Sequence, residues 1–228
     1  MSESRCAIYF APEDDSALAR FGWPWLGRRP ETVDDAPFLS AVSGDSDHTA
    51  RVADPRLYGL HATLKPPFHL ASGTTRDQLV DTLRALCKTR APIEAPPLTL
   101  AEIGDFIALR PASNAKIDRL AADCVTAFDR FRAPSTPEDI AKRANGLTPR
   151  QHEHLKRWGY PYVLDEFRFH VTLSGRLADD ERARTRAQLM PLLGDVLAEP
   201  LRIASLCLFE QANRTARFTL AMRIPFGT

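Results

Sequence analysis

The stretch 59-GLHATLKPPF-68 sets a histidine and a threonine two residues apart, then a lysine, then two prolines, and the chain nearly repeats it at 167-FRFHVTLSG-175. In an extended strand, residues i and i+2 point to the same face. At the second site Phe167, Phe169, Val171 and Leu173 make an apolar face, while Arg168, His170, Thr172 and Ser174 make a polar one. The first site follows the same alternation, with Leu60, Ala62 and Leu64 toward a core and His61, Thr63 and Lys65 away from it. A solvated strand face can be polar, but it has no reason to repeat His-x-Thr in two places.

Outward from these motifs, the pattern is one of strand, helix and hairpin, twice. After the first motif strand (58–65, ended by Pro66-Pro67) comes an amphipathic helix over 74–90, with Leu79, Leu83 and Leu86 on one stripe. Strands near 97–103 and 105–111 follow, turned at Gly104-Asp105, and then a helix over 114–131. After the second motif strand (166–175) come a helix near 178–198 and strands at 201–210 and 216–224. His61 and His170 lie 109 positions apart, and Thr63 and Thr172 keep that offset. The reading is one bilobal domain over 1–228, with a first lobe about 58–132 and a second about 165–228. An N-terminal strand and helix occupy 5–27, with Cys6, Ile8 and Phe10 on one face of the strand and Ala7 and Tyr9 on the other. A helical connector fills 136–160, opened by Thr136-Pro137 and reopened by Thr148-Pro149. Residues 28–56 are polar and interrupted by Pro and Gly, which predicts a long loop or lid with one short helix around 35–43. The class is α+β, with antiparallel sheets and outer helices.

Composition narrows the chemistry. The chain has 228 residues, 44% hydrophobic and 26% charged, with a formal net charge of +1. That balance favours a small anionic ligand over a long nucleic acid, which calls for a basic excess. No apolar run approaches the ~18 residues of a membrane span, and MSESRCAIYF lacks the form of a signal peptide, so a cytoplasmic location is the expectation. Cys6, Cys87, Cys124 and Cys207 show no paired spacing and read as reduced, mostly buried thiols. Nothing in the sequence sets the oligomeric state.

Two imidazoles and two hydroxyls suit displacement at a phosphodiester. Near neutrality a neutral imidazole takes a proton from water while a protonated one gives a proton to the leaving oxygen. Each threonine hydroxyl donates to a phosphoryl oxygen as charge builds there. The set requires neither metal nor cofactor. Lys65 and Arg168 share the histidine faces and are candidates for holding a phosphate, and Tyr9 is positioned to reach the cleft. The other histidines are set aside. His152 and His154 lie about 200° apart on a helix and read as surface, His69 as solvent-facing or packed, and His48 as part of the polar loop. No GK[ST] phosphate loop occurs.

His61-Ala62-Thr63-Leu64 and His170-Val171-Thr172-Leu173 resemble the two signature tetrapeptides of the 2H phosphoesterase superfamily. The longer strings 61-HATLKPPF-68, 159-GYPYVLDEFRFHVTLSG-175 and 7-AIYFAP-12 resemble its branch of bacterial proteins associated with phosphonate utilisation. The resemblance covers essentially the whole chain. It implies a bilobal, pseudo-twofold fold with both motifs facing a central cleft, and His61, His170, Thr63 and Thr172 as the catalytic set. It also implies a substrate, 5-phosphoribosyl 1,2-cyclic phosphate from carbon–phosphorus bond cleavage. Two other readings stand beside it. One is an RNA 2′,3′-cyclic phosphodiesterase or 2′–5′ RNA ligase, which requires a basic, aromatic-lined groove. The other is a noncatalytic sugar-phosphate binding protein.

Overall fold

The computed structural model describes residues 4–227. Three antiparallel sheets carry the architecture. The first is formed by β1 (Arg5–Phe10), β2 (Ala62–Phe68), β8 (Ser205–Gln211) and β9 (Thr219–Pro225), in the order β2-β1-β8-β9. The second is formed by β4 (Thr99–Ile103), β5 (Phe106–Arg110) and β6 (Val171–Thr172), in the order β4-β5-β6. A two-stranded ribbon pairs β3 (Ile93–Pro97) with β7 (Pro200–Ile203). Helix α1 (Ala17–Leu26) follows β1, and α6 (Pro137–Arg143) and α7 (Pro149–Trp158) make up the connector between the motifs. Helices α4 (Arg76–Lys88) and α5 (Ala115–Ala127) bury Leu79, Leu83, Ile117, Leu120 and Cys124 in one core with the sheets. Both are capped by side chains: Thr75 and Gln78 form a capping box, and Asn114 accepts from the first turn of α5.

Sheet pairing crosses the two sequence repeats. The hairpin β4–β5 follows the first motif in sequence but pairs with the second motif strand, Leu109 opposite Val171 and Ala108 opposite Thr172. The hairpin β8–β9 follows the second motif but extends the sheet that holds the first. Each motif strand is thus completed by the hairpin of the other repeat. The predicted strand 201–210 is two strands broken at Ala204, because β7 pairs with β3 while β8 pairs with β1. β3 alternates buried and exposed residues but is only five residues long and ends in two prolines, so its sequence does not announce a strand.

Pro66-Pro67 does not end β2, which runs on to Phe68. β2 is an edge strand, so the missing proline N–H groups cost no ladder bond on the open side. The expected long helix over 178–198 is α8 (Asp179–Leu189), a short 3₁₀ turn and α9 (Gly194–Ala198).

The polar segment 28–56 is also different from its reading. No helix forms at 35–43; α2 (His48–Arg51) and α3 (Ala53–Tyr58) lie further on. Three of its basic residues, Arg28, His48 and Arg56, turn inward, while Arg29, Glu31, Asp34, Asp35, Asp47 and Asp54 stay exposed. Arg28 is buried and donates to the carbonyls of Arg56 (2.8 Å), Thr32 (2.9 Å) and Phe218 (2.6 Å). His48 is buried against the rings of Trp25 and Phe38, with Nε2 2.8 Å from the Trp25 carbonyl. Each serves a carbonyl that would otherwise be stranded in the core. Arg28 and His48 thus tie this segment to the core.

Candidate active site

The chain enters β2 through Gly59, whose φ of 78° and ψ of 174° are open to glycine and strained for other residues. This turn aims the Gly59 carbonyl at His61 Nδ1, 2.8 Å away. A carbonyl only accepts, so Nδ1 carries the proton and Nε2 carries the lone pair. Thr63 Oγ1 lies 3.2 Å from that Nε2. Tyr9, directly across on β1 from Thr63, stacks on the His61 ring at 4.0 Å between centroids. Burial pushes the His61 pKa down to about 4; the Gly59 carbonyl opposes this, and the charge of His170 adds to it.

His170 repeats the device. Its Nδ1 lies 2.8 Å from the carbonyl of Arg168, again two residues earlier in the chain. Burial lowers its pKa, the Arg168 carbonyl opposes the shift, and the Arg110 cation adds to it. Both imidazoles are therefore held as neutral rings with Nε2 as the basic atom. The segment before His170 is fixed by a 3₁₀ turn over Leu164–Glu166 and by His154, whose Nε2 lies 2.6 Å from Asp165 Oδ1. His154 is thus buried and structural, contrary to the surface reading.

The two motifs meet. His61, Thr63 and Thr172 line one cavity of about 370 Å³. His170 and Arg168 line an adjoining one of about 670 Å³, and Thr63, Pro66 and Tyr160 line both. Five arginines (Arg5, Arg110, Arg143, Arg168 and Arg176) and three carboxylates (Asp54, Asp105 and Glu166) face these cavities, so the cleft is net basic in a nearly neutral protein. Tyr58, Tyr160 and Tyr162 add aromatic walls.

Not every candidate reaches this cleft. Lys65 does not. An extra residue in β2 places Thr63 opposite Tyr9 but Lys65 opposite Ile8, so the bulge turns Lys65 to the core face. There Nζ donates to the Val125 carbonyl at 3.1 Å and pairs with Asp129 at 3.2 Å. Arg168 is on the cleft, but its Nη1 already donates to the carbonyls of Asp165 and Phe167. Tyr9 is on the cleft face yet fully buried, and its hydroxyl has no partner among the described residues. Arg5, Arg110 and Arg143 are cleft residues that the sequence reading misses. Arg5 has a usable signal, since it stands four residues before Tyr9 on the same face of β1.

Other chemistries find less support. All four cysteines are buried and unpaired, and burial raises Cys6 to about 12 and Cys87 and Cys207 to about 11, against thiolate character. No group of three or more His, Cys, Asp or Glu side chains among the described residues is placed to hold a metal ion. No helix among the described residues is long and apolar enough to cross a membrane.

The family described as "Protein of unknown function (DUF1045)" matches residues 63–219. A protein of Janthinobacterium sp. (strain Marseille), named ribose 1,5-bisphosphate phosphokinase PhnN, is 38% identical over 99% of this chain and 51% of its own length. A protein of the same name from Laribacter hongkongensis (strain HLHK9) is 34% identical over 95% of this chain and 50% of its own. The chain spans about half the length of these curated relatives. Among solved structures, TT0787 of Thermus thermophilus overlays with a TM-score of 0.47 at 13% identity, covering 98% of both chains, a likeness too distant to bear on function.

Proposed function

From the premise that this chain belongs to the DUF1045 family, whose description names no reaction, we propose that it is a 2H-type phosphodiesterase opening a small cyclic phosphodiester of a sugar. One observation carries this reading: two His-x-Thr pairs, each imidazole with Nδ1 at the carbonyl two residues back, converging on one arginine-lined cleft. His61, the more strongly depressed, acts as the base. Its Nε2 takes a proton from water as the water oxygen bonds to phosphorus. The opposite P–O bond breaks, and His170 gives a proton to the departing sugar oxygen. The anionic phosphodiester, once bound, raises the pKa of His170 and so supplies the imidazolium that the empty site disfavours. Thr63 and Thr172 donate to the non-bridging oxygens. The sum is addition of water across one P–O bond, with both histidines reset by exchanging a proton with solvent.

The proposed substrate is 5-phosphoribosyl 1,2-cyclic phosphate of phosphonate breakdown. Its opening at the 2-oxygen yields ribose 1,5-bisphosphate, the sugar in the printed name of the longer relatives. Those relatives are named as kinases, but this chain has no GK[ST] loop. The supporting facts are the net-basic cleft and its small volume.

A second reading, an enzyme acting on RNA 2′,3′-cyclic ends, is favoured by Tyr160 and Tyr162. They pack edge to face at 5.8 Å beside the cleft with Tyr162 exposed, as a base-stacking wall requires. Phosphorus NMR of the purified protein with 5-phosphoribosyl 1,2-cyclic phosphate and EDTA separates the two. Loss of the cyclic signal with a new monoester peak is the expected result, and the splitting of that peak identifies the oxygen that keeps the phosphate. Turnover of a nucleoside 2′,3′-cyclic phosphate alone would transfer the site to RNA ends. Tight binding with no turnover of either would leave a binding protein.

A further inference from the structure

The 370 Å³ cavity that His61 lines is also lined by Arg5, Tyr58 and Arg143. Its lining contains two features that the acid–base chemistry leaves unused. The first is the Tyr9 hydroxyl, wholly buried and with no hydrogen-bond partner among the described residues. An orphaned buried hydroxyl is costly and calls for an explanation. Burial raises the Tyr9 pKa well above its ordinary value, so the group is a donor. The second is Arg5. Its Nε donates to Gln211 Oε1 at 2.7 Å, Gln211 is itself fixed by donating to the Ala216 carbonyl, and the guanidinium lies over the Phe218 ring at 5.4 Å. This cation has no carboxylate partner among the described residues, although most arginines of this chain are paired. A guanidinium anchored at Nε and stacked on a ring keeps its terminal N–H groups aimed outward. Arg143, on the same lining, is also without an ion-pair partner among the described residues, and Asp54 is the carboxylate that shares that lining.

We propose that Arg5 and Tyr9 form an anion subsite in the cavity that His61 lines, which takes a phosphate monoester carried by the same molecule whose cyclic diester lies between the histidines. The inference rests on the phosphodiesterase reading and adds the residues that hold the terminal monoester of such a sugar. Arg5 and Tyr9 lie on one face of β1, the strand that also carries the stacking platform for His61. A rigid strand thus fixes the distance between monoester pocket and reaction centre. The orphaned hydroxyl gains its acceptor when the monoester arrives.

Ribose 5-phosphate, which has a monoester and no diester to cleave, is the probe. Calorimetry is run on the whole chain and on Arg5→Gln and Tyr9→Phe. The expected result is binding to the unaltered protein, weakened about 10- to 100-fold by R5Q and several-fold by Y9F. No binding to the unaltered protein, or equal binding to all three, would overturn the subsite. Y9F keeps the ring on His61, so it decides the matter even should R5Q fail to fold. A kinetic arm compares kcat/KM for a ribose cyclic phosphate with and without the 5-phosphate. R5Q is expected to lower that ratio at least 10-fold, and an unchanged ratio counts against the subsite. If no cyclic diester is cleaved at all, the phosphodiesterase reading fails, while the calorimetric arm still decides the anion subsite.

Discussion

β2 and β6 present the same His-x-Thr-Leu, yet β2 runs seven residues along β1 while β6 has only Val171 and Thr172 in regular pairing. The supports differ accordingly. His61 is backed by the Tyr9 ring and entered through Gly59, a residue that takes positive φ without cost. His170 is approached through a 3₁₀ turn, a His154–Asp165 bond and Leu164 at φ 54°, and the nearest ring, Phe106, lies 5.9 Å away. What the two sites share is the Nδ1–carbonyl contact two residues back. The lesson is that the tautomer is the common requirement, and that two unlike scaffolds meet it.

The largest effect comes from breaking the pair. His61→Ala and His170→Ala are each expected to lower kcat by about 10²–10⁴, and the pH profile tells them apart. In the free protein the base must be neutral, so kcat/KM falls on the acid side as pH drops through about 4, the depressed His61 value. The acid must be protonated, so kcat/KM falls on the alkaline side through the His170 value, which lies below its ordinary 6.5. The optimum of kcat/KM is therefore expected on the acid side of 6.5, and that of kcat higher, because the bound anion favours imidazolium. H61A should abolish the acid limb and H170A the alkaline one. An exchange of limbs would reverse the roles, and a profile with both limbs intact in either variant would end the two-histidine mechanism.

The next prediction concerns Lys65, the residue that the alternation misplaces. Replacing it with Met removes a buried ammonium and leaves Asp129 with Arg132 (3.0 Å) and Arg157 (2.8 Å). Stability is expected to change by no more than about 2 kcal/mol, in either direction, with kcat/KM retained. The pH dependence gives the sign. Burial lowers the Lys65 pKa from 10.5 to about 8, against the pull of Asp129. Between those values the unfolded chain binds more protons, so the unaltered protein gains stability as pH rises from about 8 to 10.5. K65M should lose that rise, as measured by urea midpoints across the range. A folded K65M with kcat down more than about 10²-fold would return the ammonium to the site.

How far the sequence carries these readings follows from the same geometry. His61, Thr63, His170 and Thr172 are legible because period-2 alternation reports the face of a strand. The same rule fails at Lys65 two residues on, because a bulge shifts the phase by one and leaves no mark in composition. The hairpin exchange is invisible, since strand order does not name a strand's partner. Arg28 and His48 read only as part of a polar loop because polar residues that serve buried carbonyls look, in sequence, like any loop. β2 outruns its two prolines because it is an edge, a fact of tertiary arrangement.

The smallest effects lie in the two approach residues. Gly59→Ala places a side chain at φ 78°, ψ 174°, and is expected to cost about 1–3 kcal/mol, although the nearest atom to its Cβ is 3.8 Å away. The cost is backbone strain and no clash. Leu164→Gly does the reverse. It relieves about 1–2 kcal/mol of left-handed strain, but gives back about 0.5–1 kcal/mol through the freer unfolded chain, and it loses the packing of a half-buried leucine. The net is expected within about 1 kcal/mol of zero. Urea midpoints measure both. If L164G is clearly destabilised, the leucine side chain holds the turn and the strain is incidental. If stability is unchanged while kcat falls, the left-handed leucine is what stiffens the approach to His170, compensating for the ring and the long strand that His61 has and His170 lacks.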